Sequence, residues 1–246
     1  AEQLDQMGGE QLRRKIESMG VRVHTSKNTL EIVQEGVEAR KTMRFADGSE
    51  LEVDFIVFST GIRPRDKLAT QCGLDVAPRG GIVINDSCQT SDPDIYAIGE
   101  CASWNNRVFG LVAPGYKMAQ VAVDHILGSE NAFEGADLSA KLKLLGVDVG
   151  GIGDAHGRTP GARSYVYLDE SKEIYKRLIV SEDNKTLLGA VLVGDTSDYG
   201  NLLQLVLNAI ELPENPDSLI LPAHSGSGKP SIGVDKLPDS AQICSC

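Results

Sequence analysis

Apolar residues recur three or four positions apart in three stretches of the chain, a spacing that predicts amphipathic helices. The stretches cover residues 4–19, 114–127 and 199–210. Gly20 and Gly128 follow the first two, and glycine commonly ends a helix because it adopts the left-handed conformation without strain. We therefore predict three helices, widely separated along the chain.

Shorter runs of alternating or continuous apolar residues predict β-strands. Asp47 and Gly48 stand between two of these runs and indicate a hairpin turn. The predicted strands are residues 21–24, 30–33, 39–45, 51–58, 80–84, 95–98, 142–149, 164–168, 174–180 and 187–193.

The order of these elements predicts an α/β chain of several parts. Helix, strand, hairpin and strand over residues 4–58 are typical of the back half of a doubly wound nucleotide-binding domain. Residues 61–130 are predicted to be the return segment of a second such domain. From residue 138, strands followed by a helix predict a compact α+β module. Frequent Pro, Ser and Gly over residues 212–242 indicate a linker or a loosely held tail.

Composition narrows the class of protein. The 24 Lys and Arg against 35 Asp and Glu give a net charge of −11, which argues against nucleic acid as a partner because phosphate backbones bind basic patches. The sequence has no long apolar run, so neither a membrane span nor a signal peptide is predicted. Five scattered cysteines do not make a secreted disulfide framework, and a reducing cytoplasm fits them best.

The most specific local pattern is T-S-D-P-D-I-Y-A-I-G-E-C-A at residues 90–102. It predicts a turn, a short apolar strand, and then Gly99 and Glu100 at the end of that strand. Gly99 lets the backbone approach a pyrophosphate, and Glu100 can accept hydrogen bonds from ribityl or ribose hydroxyls. The alternative is an ordinary buried strand that ends in a solvated glutamate.

Four features, in order, resemble the two-dinucleotide-domain flavoproteins of the pyridine nucleotide–disulfide reductase group. That family usually has Asp where this chain has Glu100, which keeps the charge and lengthens the side chain by one methylene. The resemblance implies FAD- and NAD(P)-binding domains, each present in part and followed by the small α+β module. The matching segments are residues 60–64, 81–85, 99–100 and 111–115.

Residues 100–102, residues 142–148 and the terminal Cys-Ser-Cys are similar to the large subunits of bacterial siroheme-containing NAD(P)H nitrite reductases. The similarity covers the whole chain as an interior part of a longer polypeptide. It implies that hydride passes from NADH to FAD, and that electrons then pass through [2Fe–2S] and [4Fe–4S] centres to siroheme, where nitrite becomes ammonium. The implied partners are nitrite and NADH, a homo-oligomer and a small subunit, with no nucleic acid and no membrane.

The resemblance also assigns site residues and domains. The flavin carries the hydride chemistry, so we nominate no catalytic side chain. Cys244 and Cys246 are implied to begin the [2Fe–2S] site. The implied cofactor-binding residues are Thr60, Gly61, Gly99, Glu100, Pro114 and Gly115. The implied domains are 1–60 (NAD(P)-binding, C-terminal part), 61–130 (FAD-binding, C-terminal part), 138–225 (interface module) and 226–246 (linker and start of the [2Fe–2S] domain).

Other residues of chemical interest are assigned no role. Cys72, Cys88 and Cys101 form no C-x-x-C pair, and we expect them to be core or half-buried thiols. The glycines of residues 150–157 and 226–230 imitate phosphate loops. In the first, His156 stands where the third glycine belongs and no clear helix follows; in the second, Ala223 replaces the first Gly and Pro230 the Ser/Thr. The histidines, which show no metal-ligand spacing, are His24, His125, His156 and His224.

Two alternative functions remain open. One is a flavoprotein of the rubredoxin- or ferredoxin-reductase type, against which the cysteine-rich end argues. The other is a subunit-contact module without activity, which the amphipathic segment 199–210 favours. The chain alone is expected to retain little FAD, because neither Gly-rich dinucleotide loop is present in it.

Overall fold

The computed structural model describes residues 4–34, 36 and 40–222. The described residues form two compact units, one of residues 24–136 (the central unit) and one of residues 1–23 and 137–246 (the terminal unit). The helices are α1 Gln6–Ser18, α2 Lys67–Gln71, α3 Val112–Ile126 and α4 Tyr199–Leu207. The strands are β1 Thr29–Gln34, β2 Lys41–Phe45, β3 Glu50–Val53, β4 Ile82–Ile84, β5 Ala102–Trp104, β6 Ala140–Leu144, β7 Val147–Gly153, β8 Arg163–Asp169, β9 Ile174–Val180 and β10 Leu187–Val193.

A five-stranded antiparallel sheet forms the frame of the terminal unit, with strand order β6-β7-β10-β9-β8. Strand β10 has no polar side chain, β9 is apolar except for Lys176 and Arg177, and both lie inside the sheet, so both faces of these strands are largely buried. Their bounds were predicted correctly. On one face, Leu202, Leu203 and Leu205 of α4 pack with Leu178 and Leu192 into a continuous core.

The predicted strand 142–149 is wrong, because the structure forms two strands there. Leu145 and Gly146 have φ angles of 48° and 86° and connect β6 to β7. Two consecutive left-handed residues are typical of the tight hairpin turns that match the twist of paired strands. Leucine is not a typical turn residue, so the sequence predicted one continuous strand over these positions.

Helix α1 packs on the opposite face of the same sheet. Leu4 and Leu12 contact the apolar cluster that includes Val149 and Val191. Gly8 meets the sheet so closely that a Cβ there would lie 3.1 Å from Val191 Cγ1. The pattern of residues 4–19 thus predicted the helix correctly, and Gly8 is buried with Leu4 and Leu12 half-buried beside it, whereas Met7 is 45% exposed.

Asp5 connects the beginning of α1 to strand β9. Its Oδ1 accepts from the Gly8 N–H at 2.9 Å and caps the helix. Its Oδ2 accepts from the Tyr175 hydroxyl at 2.7 Å and from Arg177 Nη1 at 2.9 Å. Burial, together with the bond to Asp5, raises the pKa of Tyr175 above its ordinary value, so the phenol remains a hydrogen-bond donor.

A buried lysine ties β9 to the loop between β10 and α4. Lys176 is 2% exposed, and its Nζ lies 2.6 Å from a carboxylate oxygen of Asp195 and 2.6 Å from one of Asp198. Burial alone would lower the pKa of Lys176, but the hydrogen bonds that it donates to both carboxylates raise it above the ordinary value. The ammonium therefore stays charged and holds the start of α4 against the sheet.

The central unit begins with the antiparallel sheet β1-β2-β3. Arg44 on the middle strand pairs with Glu31 and Glu50 on its two neighbours, each at 2.8 Å, so oppositely charged side chains alternate across one face. The turn between β2 and β3 contains Asp47 and Gly48, as predicted. Strands β4 and β5 then form a short parallel pair.

Three strand predictions in and beside the central unit are wrong. Residues 21–24 form no strand, and the predicted strand 51–58 ends at Val53. No strand of the described chain lies beside residues 54–60, so their backbone groups have no partner strand for hydrogen bonding. Phe55 is accordingly 79% exposed. Residues 95–98 are extended but make only the single bridge from Tyr96 to Gln89.

Helices α3 and α4 both form in the segments predicted for them. Helix α3 covers Val112–Ile126, and Gly128 behind it has the left-handed φ of 86° expected for a helix stop. Helix α4 ends at Leu207, because Ala209 already has a φ of 47°. Among the described residues, none of the helices is both long and apolar enough to cross a bilayer.

We predict that Lys176→Met destabilises the chain by about 3–5 kcal/mol, because it leaves buried carboxylate charge at Asp198 without its cation. Urea unfolding followed by circular dichroism measures this loss. Lys172→Met is the matched control: Lys172 is 66% exposed and lies 3.6 Å from Asp169, and an exposed pair of this kind contributes less than about 1 kcal/mol. Equal losses in the two variants would contradict the role of the buried ammonium.

Acid titration of the same variants provides a separate prediction. Burial opposes ionisation of Asp195, but hydrogen bonds from Lys176 and Ser197 hold its pKa at about 2. Because this value is below the ordinary aspartate pKa of about 4, the ionised carboxylate stabilises the fold at neutral pH, and that contribution is lost as the pH falls from about 4 to about 2. In Lys176→Met, the decrease in stability over this interval should be smaller than in the parent chain.

Candidate functional site

A single 3-10 turn, Gly99–Cys101, contains the Gly-Glu pair and rests against helix α3. Gly99 has a φ of 76°, a conformation that side chains with a Cβ rarely adopt. A Cβ on Gly115 would lie only 3.2 Å from the Gly99 Cα. The two backbones therefore lie in close contact, which glycine at residue 115 makes possible; a Cβ on Gly99 would meet nothing within 4 Å, so glycine is favoured there by its φ alone.

Met118, which lies one helical turn after Gly115 in α3, contacts the Gly99–Cys101 turn. The Gly99 N–H points at the Met118 sulfur, 3.2 Å away, and Met118 is fully buried. Sequence reasoning missed this residue, although its position three residues after Gly115 places it on the same side of the helix. The beginning of α3 and the Gly-Glu turn thus form one rigid assembly.

Glu100 lies in this turn with its side chain exposed to solvent. The residue before α3 is Leu111, whose apolar side chain supplies no capping acceptor. The N–H groups of the first turn of a helix have no partner within the helix, and they carry part of the positive end of its dipole. A carboxylate acceptor and a set of backbone donors are therefore presented within one unit.

Thr60 and Gly61 belong to the same unit and are both exposed. Gly61 has a φ of 95°, so it allows a turn that other residues would strain. The next residue, Ile62, reaches the segment before α3, because a Cβ on Gly110 would lie 3.3 Å from Ile62 Cδ1. The structure thus brings the segment after Gly61 close to the segment that precedes α3.

Asp66 fixes the second of the four segments. Its Oδ2 accepts from the Gly81 N–H at 2.7 Å. A Cβ on Gly81, whose φ is 99°, would come within 3.0 Å of the Ser103 Cβ, so β4 and β5 approach closely at this glycine. Sequence reasoning missed Asp66, because its partner is 15 residues away.

Exposed apolar side chains occur on the segments that lead into and out of the turn and into α3. Each of these apolar side chains is more than a third exposed to solvent. Exposed apolar side chains on neighbouring segments are a feature of binding sites. The residues are Ile62 at 60%, Ile98 at 42%, Leu111 at 37%, Val112 at 70% and Tyr116 at 74%.

The cysteines and histidines play no visible part in this arrangement. Cys88 is buried, and burial raises its pKa to about 11. Cys101 is half-buried, while Cys72 is exposed, contrary to the expectation of a core or half-buried thiol. Nδ1 of His125 lies 2.7 Å from the Tyr96 hydroxyl. The described residues contain no group of three or more His, Cys, Asp or Glu side chains that could hold a metal.

The remaining predicted elements fall into two groups. The glycines of residues 150–153 belong to strand β7, and a turn rather than a helix follows them, in which Asp154 accepts from the Arg158 and Thr159 N–H groups. They therefore form no phosphate loop. Cys244 and Cys246, His224 and the glycines of residues 226–230 lie outside the described residues.

Comparison with protein families gives a match over residues 1–125 to the pyridine nucleotide-disulphide oxidoreductase model. The chain belongs to this family. Residues 139–210 match a second model, the rubredoxin NAD+ reductase C-terminal domain. The α/β class with a small additional module is thereby confirmed.

Individual relatives agree with this assignment. The chain is 55% identical over 246 residues to the nitrite reductase [NAD(P)H] large subunit of Klebsiella oxytoca, covering 100% of this chain and 26% of the relative. It is 39% identical over 275 residues to the nitrite reductase [NAD(P)H] of Emericella nidulans, covering 100% and 25%. The chain thus spans about a quarter of the length of these curated relatives.

A solved structure shows the same fold. The NAD-dependent persulfide reductase from A. fulgidus superposes with a TM-score of 0.65 at 23% identity, over 87% of this chain and 44% of the other. At this identity, the likeness concerns the fold alone.

We predict that Gly115→Ala destabilises the chain by up to about 2 kcal/mol, because its methyl group would press on the Gly99 backbone, which has no flexible end to move aside. The control is Gly9→Ala in α1, where nothing lies within 4 Å of the added Cβ. There the higher helix propensity of alanine should stabilise the chain by up to about 1 kcal/mol. Thermal unfolding of both variants decides the matter, and a stabilised Gly115→Ala would refute the close contact.

Proposed function

We propose that this chain is the part of an FAD-dependent NAD(P)H nitrite reductase large subunit that binds the ribityl–pyrophosphate side of the flavin. The single observation that carries the proposal is the seating of the Gly99–Cys101 turn on the first turns of α3, with Gly99 and Gly115 in backbone contact. The family of the chain and its 55% identity to a nitrite reductase large subunit support it.

The residues present fit a flavin in three respects. Glu100 offers an exposed carboxylate for hydroxyl groups, Gly99 has no side chain to block the approach of a phosphate, and the first turn of α3, which contains Pro114 and precedes Gly115, offers the N–H groups of Val112 and Ala113 and a positive dipole end. When bound, FAD would accept hydride from NAD(P)H and release electrons singly. The chain's own contribution is to bind and orient the cofactor and to stabilise negative charge on it.

Thr60 and Gly61 have a different proposed role. They lie in the segment that precedes the contact between Ile62 and Gly110, and in our proposal they carry the chain from the nicotinamide-binding part to the flavin-binding part. The corresponding domains are residues 1–60 and 61–130, followed by the module 138–225 and the segment 226–246.

The remaining parts of the proposal concern the intact protein. Cys244 and Cys246 would supply two ligands of a [2Fe–2S] cluster, and electrons would continue through a [4Fe–4S] centre to siroheme, where nitrite is reduced to ammonium. We further propose a cytoplasmic location, a homo-oligomer and a small subunit as partner. The names of the two relatives, which are nitrite reductases, support nitrite and NADH as the substrates.

A second candidate function is electron transfer to a rubredoxin or a ferredoxin. The match of residues 139–210 to the rubredoxin NAD+ reductase C-terminal domain favours it. The two candidates differ in their product: the intact nitrite reductase forms ammonium from nitrite and NADH, whereas the alternative reduces only a separate carrier protein.

We predict that Glu100→Gln, made in the intact protein, lowers the flavin content and the rate of NADH oxidation with an artificial acceptor by about tenfold or more, because a charged hydrogen-bond acceptor contributes about 1.5–3 kcal/mol. Flavin absorbance per protein and diaphorase turnover are the measurements. Glu130→Gln, an exposed carboxylate of the same unit, should leave both unchanged. Unchanged flavin content in Glu100→Gln would remove the assigned role of this carboxylate.

A further inference from the structure

A tyrosine and a histidine outside the Gly99–Cys101 turn form a hydrogen bond within the central unit. Nδ1 of His125, in the last turn of α3, lies 2.7 Å from the Tyr96 hydroxyl. The two rings also lie close together, with their centroids 5.9 Å apart and their planes tilted by 57°. Tyr96 precedes Gly99 by three residues, so this bond attaches the approach to the turn to the far end of the helix on which the turn rests.

The pair is suited to hold its geometry. Both side chains are half-buried, which limits competition from water for the hydrogen bond. A phenol hydroxyl both donates and accepts, so the bond forms with either tautomer of the imidazole. The two residues are 29 positions apart, so the bond connects parts of the chain that the sequence keeps separate.

The segment that carries Tyr96 needs an attachment of this kind. Residues 95–98 are extended, but none of the described strands includes them. Their cross-strand bonds run to residues 88–90, where the Ala97 N–H donates to the Cys88 carbonyl at 3.1 Å. A segment that is bonded along one edge can still swing about that edge. Its direction is fixed only when contacts on another side hold it.

Helix α3 supplies two such contacts, and their spacing matches the segment. The Gly99 N–H is held by the Met118 sulfur, and Tyr96 is held by His125, seven positions further along the helix. Seven helical residues rise about 10 Å, and the three extended residues from Tyr96 to Gly99 also cover about 10 Å. The segment therefore runs alongside α3 and is fastened at both of its ends.

Glu100 depends on this arrangement because it follows Gly99 directly. Among the described residues, none bonds to the Glu100 side chain, so the main chain alone determines where the carboxylate begins. If the Tyr96 contact were lost, the segment could rotate about the remaining contact at Gly99. The carboxylate would then occupy a range of positions, and a ligand that needs one of them would bind less tightly.

We propose that His125 is a positioning residue for the flavin site: through its hydrogen bond to Tyr96, it fixes the direction of the segment that carries Gly99 and Glu100. The inference rests on the proposed function, since it concerns how the same turn meets the cofactor. His125 acts through Tyr96 and is assigned no contact with the flavin.

The test measures FAD binding by the intact protein after its flavin has been removed. Tyr96→Phe and His125→Leu each delete one partner of the bond. The FAD dissociation constant, measured by flavin fluorescence titration, should rise about three- to tenfold in each, the factor that one hydrogen bond contributes. Because the two substitutions remove the same bond, the double variant should bind FAD no more weakly than the weaker of the two single variants.

His125→Asn is the variant that should restore binding. The asparagine amide oxygen is as many bonds from the Cα as the histidine Nδ1, and a side-chain amide can both donate and accept. Leucine has nearly the same shape as asparagine but no polar atom. The FAD dissociation constant of His125→Asn should therefore lie close to that of the parent protein, while that of His125→Leu stays raised.

A control separates positioning from stability. Tyr167→Phe removes a tyrosine hydroxyl that lies 3.3 Å from Asp169 Oδ2 in the terminal unit. A bond that only stabilises the fold would lower the urea midpoint of the flavin-free protein and leave the FAD dissociation constant of the folded protein unchanged. Tyr167→Phe should behave in this way, whereas Tyr96→Phe should change the dissociation constant. Circular dichroism verifies that each variant is folded.

Two outcomes would overturn the inference: FAD binding as tight in Tyr96→Phe and His125→Leu as in the parent protein, or FAD binding as weak in His125→Asn as in His125→Leu. Glu100→Gln, measured in parallel, reports on the proposed function itself. Weakened FAD binding in Glu100→Gln with none in Tyr96→Phe would remove the role of His125 alone. Unchanged binding in Glu100→Gln would remove the flavin assignment of the turn.

Discussion

The contact between the Gly99 and Gly115 backbones is the constraint on which the candidate site depends. With a Cβ at residue 115 only 3.2 Å from the Gly99 Cα, any side chain there would push the turn away from the helix. The bond from the Gly99 N–H to Met118 then fixes the direction of the turn. The position of Glu100 relative to the beginning of α3 is therefore set by main-chain packing. The side chain of Glu100 points from this turn into solvent.

The terminal unit is held together by a different kind of interaction. Its sheet buries a charged lysine, and each of the two nearby carboxylates lies within hydrogen-bond distance of it. Buried charges of this type contribute little net stability when intact, but they tolerate few alternative arrangements. Lys176 thus specifies how the β10–α4 loop meets β9, while the apolar residues around it supply most of the stabilisation.

The sequence was a good guide wherever one short segment determines its own structure. The bounds of β9 and β10 were predictable because each mostly apolar run ends at polar or glycine turn residues, whereas Gly99 and Glu100, expected at the end of a strand, form a 3-10 turn with no strand before it. Prediction failed where the local structure depends on a partner that is distant in the sequence. Residues 54–60 are as apolar as a buried strand but have no neighbour in the described chain, and the partners of Asp66 and Gly99 are 15 and 19 residues away. The turn at Leu145 and Gly146 was not predicted, because leucine rarely adopts a φ of 48° and is not a typical turn residue. The cofactor roles of the six site residues stay predictions.

The hydrogen bonds that Asp5 accepts from β9 have a consequence for biosynthesis. They join residues 170 and 172 positions apart, so α1 leaves the ribosome long before the sheet on which it packs exists. At about 5–20 residues per second, the helix waits on the order of ten seconds or more with Leu4 and Leu12 uncovered. These apolar side chains can bind chaperones during this interval, and completion of β10, which supplies Val191 and Val193, completes the surface that covers them.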